Sequence, residues 1–310
     1  MRFWFGLLVA TVVLSAIGFG LGSYQTDVYR KLLLWITLAL SYNFLFGIAG
    51  QVAFSHFTFY GIGAYAIVIL IFQVGLPLPL AILAGVAICV LLAMIVAVPA
   101  TRLEGFYLAL ATLAFAQLFI VVLDEGGKVT GSAGGLANYQ LPAVLGWQVT
   151  GPWYTMVIVL LMVGTLAILW RLDHSYFGRA CRAVRDDAEA AQAMGVDVAR
   201  TKMMAYTITS ALAGTAGMVY AFVDNTVNPP IFGLQNSFLL LFMVIVGGSG
   251  RHAGAIVGAA LLYFLPLLLS PLIGHHHALV FGLFMVAVVL FQPKGLIGLW
   301  DAFRQRKGVA

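Results

Sequence analysis

About ten stretches of this chain are long and apolar enough to cross a lipid bilayer, and nothing else constrains its fold so strongly. A span needs roughly 20 mostly apolar residues to cover about 30 Å of hydrocarbon. Segments meeting that demand lie near residues 4–22, 32–48, 57–73, 77–99, 105–123, 153–170, 204–222, 236–250, 254–273 and 278–292. The third and eighth are short and bordered by glycine-rich turns, which marks them as candidate re-entrant or broken helices. Hydrocarbon offers the backbone no hydrogen bonds, so only helices and closed barrels can span it. The roughly ten-residue alternation of a barrel strand is missing from the sequence. The expected fold class is therefore an all-α polytopic membrane protein, a single transmembrane domain over residues 1–310. Only 9% of its residues are charged, against about 25% in a typical soluble domain.

One segment breaks the apolar pattern. RLDHSYFGRACRAVRDDAEAAQAMGVDVARTK, Arg171 to Lys202, carries six of the sixteen basic and five of the eleven acidic residues. Apolar spans border it on both sides, so residues 171–203 read as a loop at one membrane face. Lys and Arg gather on the cytoplasmic side of membrane proteins. With the N-terminus inside, the inner segments collect the six basic residues of this loop together with Arg2, Arg102, Arg251, Lys294, Arg304, Arg306 and Lys307. Only Arg30, Lys31 and Lys128 fall outside, a 13 to 3 split. The loop and both termini are thus expected in the cytoplasm, and the net charge of +5 needs no nucleic acid to explain it. The first span also resembles a signal peptide, with Arg2 before it and Gly20 to Ser23 after it. Its apolar run exceeds the usual 7–15 residues of such a leader, which favours a retained helix.

Within the loop, residues Arg179 to Met194 show helical periodicity. Ala180, Ala183, Val184, Ala188, Ala191 and Met194 form one apolar stripe, with the charges opposite. Arg182 with Asp186 and Arg185 with Glu189 are spaced as i,i+4 pairs. Gly195 is placed to end the helix as a left-handed cap, and Asp197 to cap the next. Such a helix either lies in the lipid interface or inserts into a groove on a partner. The stripe has no Phe, Trp or Leu, which favours the partner.

The outer loop, residues 124–152, contains seven glycines, a signature of turns. Leu136 to Leu145 reads as an amphiphilic piece at the interface, and the loop is either a connector or a docking surface for an external partner. The spans hold essentially no ionisable residue besides histidine; Asp27, Glu104, Asp124, Glu125 and Asp224 sit at ends or in loops. Ion-coupled carriers place such groups inside the bundle, so their absence points to a conduit driven from elsewhere. No Walker loop, Rossmann fingerprint or metal-spaced Cys/His set is present, which makes cofactors, metal and a catalytic centre unexpected. His56 reads either as a neutral imidazole bonded to backbone in a re-entrant turn or as a substrate contact. His275 to His277 read as a solvated outer turn, and His252 as interfacial. Glycines bracket the third span (Gly47, Gly50, Gly61, Gly63) and the start of the ninth (Gly247, Gly248, Gly250, Gly254, Gly258). Their similar placement hints at two pseudo-repeated halves, and transporters often place their pathway at such breaks.

Four segments carry a family resemblance: GIAGQVAFSHFTFYGIGAY (Gly47–Tyr65), EGFYLALATLAFAQLFIVVLDEGGKVTGSAGGL (Glu104–Leu136), FGRACRAVRDDAEAAQAMGVDVARTKMMAYTITSALAGTAGMVYA (Phe177–Ala221) and VIVGGSGRHAGAIVGAALL (Val244–Leu262). In this order they resemble the LivM-type permeases of branched-chain amino acid ABC importers. Urea and amide importers share the patterns. The resemblance implies a multi-pass subunit of the bacterial inner membrane that is not itself an enzyme and contacts lipid but no nucleic acid. It implies a LivH-like second permease, cytoplasmic ATP-binding-cassette ATPases and an external substrate-binding protein. Arg179, Arg182, Arg185, Asp186, Asp187, Glu189 and Gly195 would couple to the ATPase. Asn43, Gln51, Ser55, His56 and Thr112 would serve the translocation pathway. The first motif departs from the commoner Ser-x-Gly-His form, having Phe54-Ser55-His56 instead. The alternative of another class is a self-sufficient channel or secondary carrier.

Overall fold

A computed structural model describes residues 2–101, 103, 105–137, 139, 151–273, 282–283 and 295–298. Helix α1 covers Arg2–Gly20 and α2 covers Ser23–Asn43, with a π-helical turn at Phe44–Ile48; α3 covers His56–Phe72, α4 Leu78–Ala100 and α5 Phe106–Glu125. After a one-turn α6 (Gly127–Thr130), α7 runs Pro152–Asp173, α8 Tyr176–Asp186, α9 Ala188–Ala193 and α10 Val198–Asp224; α11 (Leu234–Gly247) and α12 (His252–Ile273) follow. Seven described helices have the length and hydropathy of a membrane span. Two shorter apolar helices, Gly6–Gly18 and His56–Phe72, fall at the first and third expected positions. The tenth expected span (278–292), His275 to His277, Arg102, Glu104, Lys294 and the basic tail lie outside the described residues.

Helix α10 is the centre of the bundle, packing on α2, α3 and α4. Lipid tails give helices no hydrophobic reason to associate, so close approach depends on small residues. Ala213 and Gly217 are buried as that rule requires. A Cβ on Gly217 would meet the Tyr60 carbonyl oxygen at 1.8 Å, and one on Gly63 the Gly214 carbonyl oxygen at 2.0 Å. Gly254 and Gly258 bring α12 against α11 at Gly247. On α4 the stripe Ala81, Cys89, Ala93 and Ala97 is buried while Leu83, Leu91, Ile95 and Val98 are exposed. The exposed face suits lipid.

Of the two segments expected to be broken or re-entrant, the third stays short and the eighth does not. With 17 residues, α3 extends only about 26 Å; α11 has 14 residues, but the 3-10 turn Pro229–Phe232 before it lengthens that segment to the 19 residues of a full span. The short α3 is sheltered by longer neighbours and buried over most of its length, whereas α11 buries one face against α2 and α12 and leaves the rest open. A short helix that meets protein rather than lipid has no need to match the bilayer.

Three expectations change. Helix α2 starts at Ser23, not near residue 32, so Arg30 and Lys31 stand on a helix and not in a loop. Each finds a partner: Arg30 donates to the Gly151 carbonyl at 2.6 Å, and Lys31 pairs with Asp224 at 2.7 Å. Likewise α10 begins at Val198, taking Arg200 and Lys202 out of the loop. The outer loop is tied down internally. Leu136–Ala137 pairs antiparallel with Thr226–Val227, and Tyr139 donates to the Ala221 carbonyl at 2.9 Å. The piece Leu136 to Leu145 therefore starts as a short strand against the chain itself; residues 140–145 lie outside the described residues.

Candidate functional site

The charged loop folds as two helices, where periodicity expects one from Arg179 to Met194. Asp187 is extended (φ −159°, ψ 108°), and its side chain accepts from Ala190 N, so it ends α8 and caps α9. A short carboxylate competes well for free amides at a helix start. Ser175 caps α8 and Asp197 caps α10 in the same manner. Gly195 closes α9 with φ +84°, and Val196 N donates to the Ala191 carbonyl across it, as in a Schellman turn.

The apolar stripe is used within the chain. Ala180, Val184 and Ala191 are buried, whereas Ala183 and Met194 are exposed; α8 packs on α7, α10 and the π-helical turn. Cys181, absent from the expected stripe, is fully buried beside them. Burial pushes its thiol up to about 12, with Arg182 pulling it down and Asp173 raising it. The thiolate is the reactive form. Cys181 is thus expected to resist maleimide in the folded subunit and to label after denaturation, as a mass-shift assay would read.

The arginines do not make their i,i+4 pairs. Arg182 is bonded to the Asp173 carboxylate, and its Nη2 donates to the Asp173 carbonyl at 3.0 Å. Asp173 also approaches His252, Oδ2 to Nε2 at 3.6 Å. Arg185 pairs with its neighbour Asp186 at 2.8 Å and sends Nη1 138 residues back, donating to the Gly47 carbonyl at 2.6 Å. Its stem lies against Gly50, where an added Cβ would meet Arg185 Cγ at 2.4 Å. Gly50 has φ +71°, a conformation that glycine takes without strain. Arg179 stands over the Tyr176 ring at 5.9 Å. Glu189 is exposed in the first turn of α9, where the helix dipole favours an anion.

The pathway candidates cluster at the break between α2 and α3, on the side facing this loop. The π-helical turn releases the chain, and residues 49–55 cross to the start of α3. Asn43 Oδ1 accepts from Gly250 N at 2.8 Å, and Gln51 Nε2 donates to the Lys202 carbonyl at 3.0 Å. Ser55 Oγ and Tyr206 OH share a hydrogen bond of 2.5 Å. The Thr112 hydroxyl accepts from Phe54 N at 3.1 Å. His56 Nε2 lies 2.8 Å from Ser41 Oγ, so its partner is a hydroxyl and not the backbone. All five candidates are buried.

The two glycine-rich regions, expected to mark separate halves, touch each other here. A Cβ on Gly47 would meet Gly250 N at 2.2 Å. Gly47, Gly50, Gly250 and Arg185 form one junction, and Asn43 and Gln51 fasten it to the α2–α3 break. Sequence reading singled out these glycines but not their contact, and it missed Tyr206, whose hydroxyl fixes Ser55. It also missed the opposite end of the bundle. There Lys31 and Asp224 pair beside a cavity of about 180 Å³ walled by Trp35, Phe57, Tyr60 and Ile231.

Residues 25–291 match the family of branched-chain amino acid transport system permease components. The chain is 30% identical to the high-affinity branched-chain amino acid transport system permease protein LivM of Salmonella typhimurium, over 94% of this chain and 74% of the relative. The corresponding protein of Escherichia coli K12 gives the same identity and coverage. The autoinducer 2 import system permease protein LsrC of Salmonella paratyphi B is 30% identical over 61% of this chain and 55% of its own length. No solved structure matches.

Proposed function

The chain belongs to the permease-component family of branched-chain amino acid transport systems, and from that premise we propose that it forms half of the translocation pathway of an ATP-driven importer for branched-chain or other small amino acids. A second, LivH-like permease supplies the other half. Separate ATPases bind below, and a substrate-binding protein delivers cargo from outside. Residues 171–203 lie in the cytoplasm, with both termini, and the membrane is the bacterial inner membrane.

The observation that carries this reading is the Arg185 link. One side chain of the water-facing α8–α9 pair reaches the Gly47 carbonyl at the α2–α3 break. A push on the loop therefore bears directly on the membrane-embedded junction. Asn43, Gln51, Ser55, His56 and Thr112 serve the pathway by holding that break in place. The junction retains buried polar groups without partners among the described residues, including Asn43 Nδ2, His56 Nδ1 and Thr58 Oγ1. Such groups are costly, which favours a junction that exchanges one bonding pattern for another during transport.

The coupling residues divide by role. Arg182 and Arg185 brace the loop against the permease, Asp187 and Gly195 shape α9, and Arg179, Asp186 and Glu189 face the ATPase. Met194, 86% exposed at the end of α9, is the apolar knob for a pocket on that partner. Met194→Glu is expected to lower retention of the ATPase on the purified permease at least tenfold, with unchanged subunit yield. A few buried apolar anchors dominate interfaces of this kind.

Reconstitution with the ATPase, second permease and binding protein tests the whole reading. Leucine or valine should stimulate ATP hydrolysis above urea and short amides. Stimulation by urea alone would reassign the substrate, and uptake by the isolated chain in ATP-free vesicles would make it a carrier.

A further inference from the structure

We propose that the cavity between α2, α3 and α10, at the end of the bundle opposite the charged loop, is a subsite for a zwitterionic amino acid with an apolar side chain. The proposal rests on the importer reading above and adds a place in this chain where the substrate is held.

The chemistry of the cavity is divided. At one end stand opposite charges, Lys31 from the N-terminal part of α2 and Asp224 from the last residue of α10, 2.7 Å apart. Their side chains are 37% and 29% exposed. A pair this open to water is weakly held, so a ligand can part it. Tyr220 donates to the second carboxylate oxygen of Asp224 at 3.2 Å, which fixes the acid independently of the lysine. The remaining wall is apolar and aromatic: Trp35 lies 5.1 Å from Phe57, and Phe57 5.1 Å from Tyr60, between ring centroids. Asn236 closes one side, held by its own bond to the Ile231 carbonyl at 2.7 Å.

An α-amino acid matches this division group by group. Its carboxylate replaces Asp224 as the partner of Lys31, its ammonium replaces Lys31 as the partner of Asp224, and its side chain enters the aromatic wall. No charge is left unpaired by the exchange. About 180 Å³ is below the roughly 300–1,000 Å³ of pockets for drug-sized ligands, which suits a short aliphatic side chain. Urea and simple amides carry neither charge and cannot part the pair. A site built around polar partners rejects analogues that lack them far more strongly than analogues differing by a methylene.

The test uses the complete reconstituted importer and a diazirine analogue of leucine as photoprobe, with labelled peptides mapped by mass spectrometry. Labelling is expected at the cavity wall. Leucine should compete, whereas leucinamide, lacking the carboxylate, and 4-methylpentanoate, lacking the ammonium, should compete at least tenfold more weakly. Lys31→Gln and Asp224→Asn should each reduce the labelling at least tenfold. The double variant Lys31→Asp, Asp224→Lys keeps an ion pair but reverses its polarity, and labelling should stay low. Restoration by this exchange would show that the pair only braces the fold and would overturn the site. So would labelling confined elsewhere, or equal competition by 4-methylpentanoate. Leucine uptake by the wild-type importer is read in parallel. Uptake without cavity labelling sinks the subsite alone, and absence of uptake sinks the importer reading, while the labelling decides the cavity in either case.

Discussion

Arg185→Glu is expected to reduce substrate-stimulated ATP hydrolysis and uptake by about a hundredfold while the subunit still inserts into the membrane. Arg185 Nη1 donates to the Gly47 carbonyl at 2.6 Å, and its Nε and Nη2 hold Asp186 at 3.0 and 2.8 Å. Hydrogen bonds to charged groups contribute about 1.5–3 kcal/mol. A glutamate here loses these bonds and sets its carboxylate against both a carbonyl oxygen and Asp186. Because each 1.4 kcal/mol is a tenfold change in an equilibrium, losing the bond and adding repulsion accounts for a factor of that size. Membrane insertion depends on the apolar spans, and α8 lies outside them. Arg185→Lys retains the charge without the planar fork and should give intermediate activity. Uptake at the normal rate in the glutamate variant would remove Arg185 from the coupling route.

The second large effect is expected at the crossing of α3 and α10. Gly63→Leu or Gly217→Leu should lower the yield of monodisperse subunit in detergent at least tenfold. At both positions the nearest obstacle is backbone: the Gly214 carbonyl oxygen at 2.0 Å for Gly63 and the Tyr60 carbonyl oxygen at 1.8 Å for Gly217. A rotamer change cannot relieve a clash with a helix backbone, so the two helices must separate. Overpacking of a core costs typically about 1–3 kcal/mol, occasionally more, and these sites belong at the upper end. Gly164→Ala on α7 is the control. Nothing lies within 4 Å of its added Cβ, and alanine is the better helix former by about 1 kcal/mol. Equal loss of yield in all three variants would show that close approach at α3–α10 is not what these glycines provide.

Much of the fold was legible because hydropathy is a sum over neighbours in sequence. Seven full-length described helices and two shorter ones fall where the apolar stretches lie, and the polar interruption at Arg171–Lys202 separates α7 from α10. Local chemistry was legible too. Gly195 and Asp197 make the terminations expected of them, since a cap is decided within a few residues. Asp187 shows the limit of periodicity. The stripe from Ala180 to Ala191 continues across it, but its carboxylate binds Ala190 N and breaks the helix.

The sequence by itself determined that this chain is embedded in a bilayer, where its spans fall in order, and which segment carries the charge; lipid sets these through length and polarity alone. The tertiary structure decided which charges meet. Arg182 has Asp186 four residues away yet binds Asp173, and Arg185 has Glu189 yet binds the carbonyl of Gly47. An exposed i,i+4 pair stabilises by only about 0.2–0.5 kcal/mol, less than a charged hydrogen bond at the edge of the membrane body. Lys31, within α2, and Asp224, at the end of α10, are distant in sequence, and only the packing of α2 on α10 makes them one site. Gly47 and Gly250 likewise look like two separate breaks until the fold joins them. Partner choice across such separations depends on how the helices pack, and no local sum contains it.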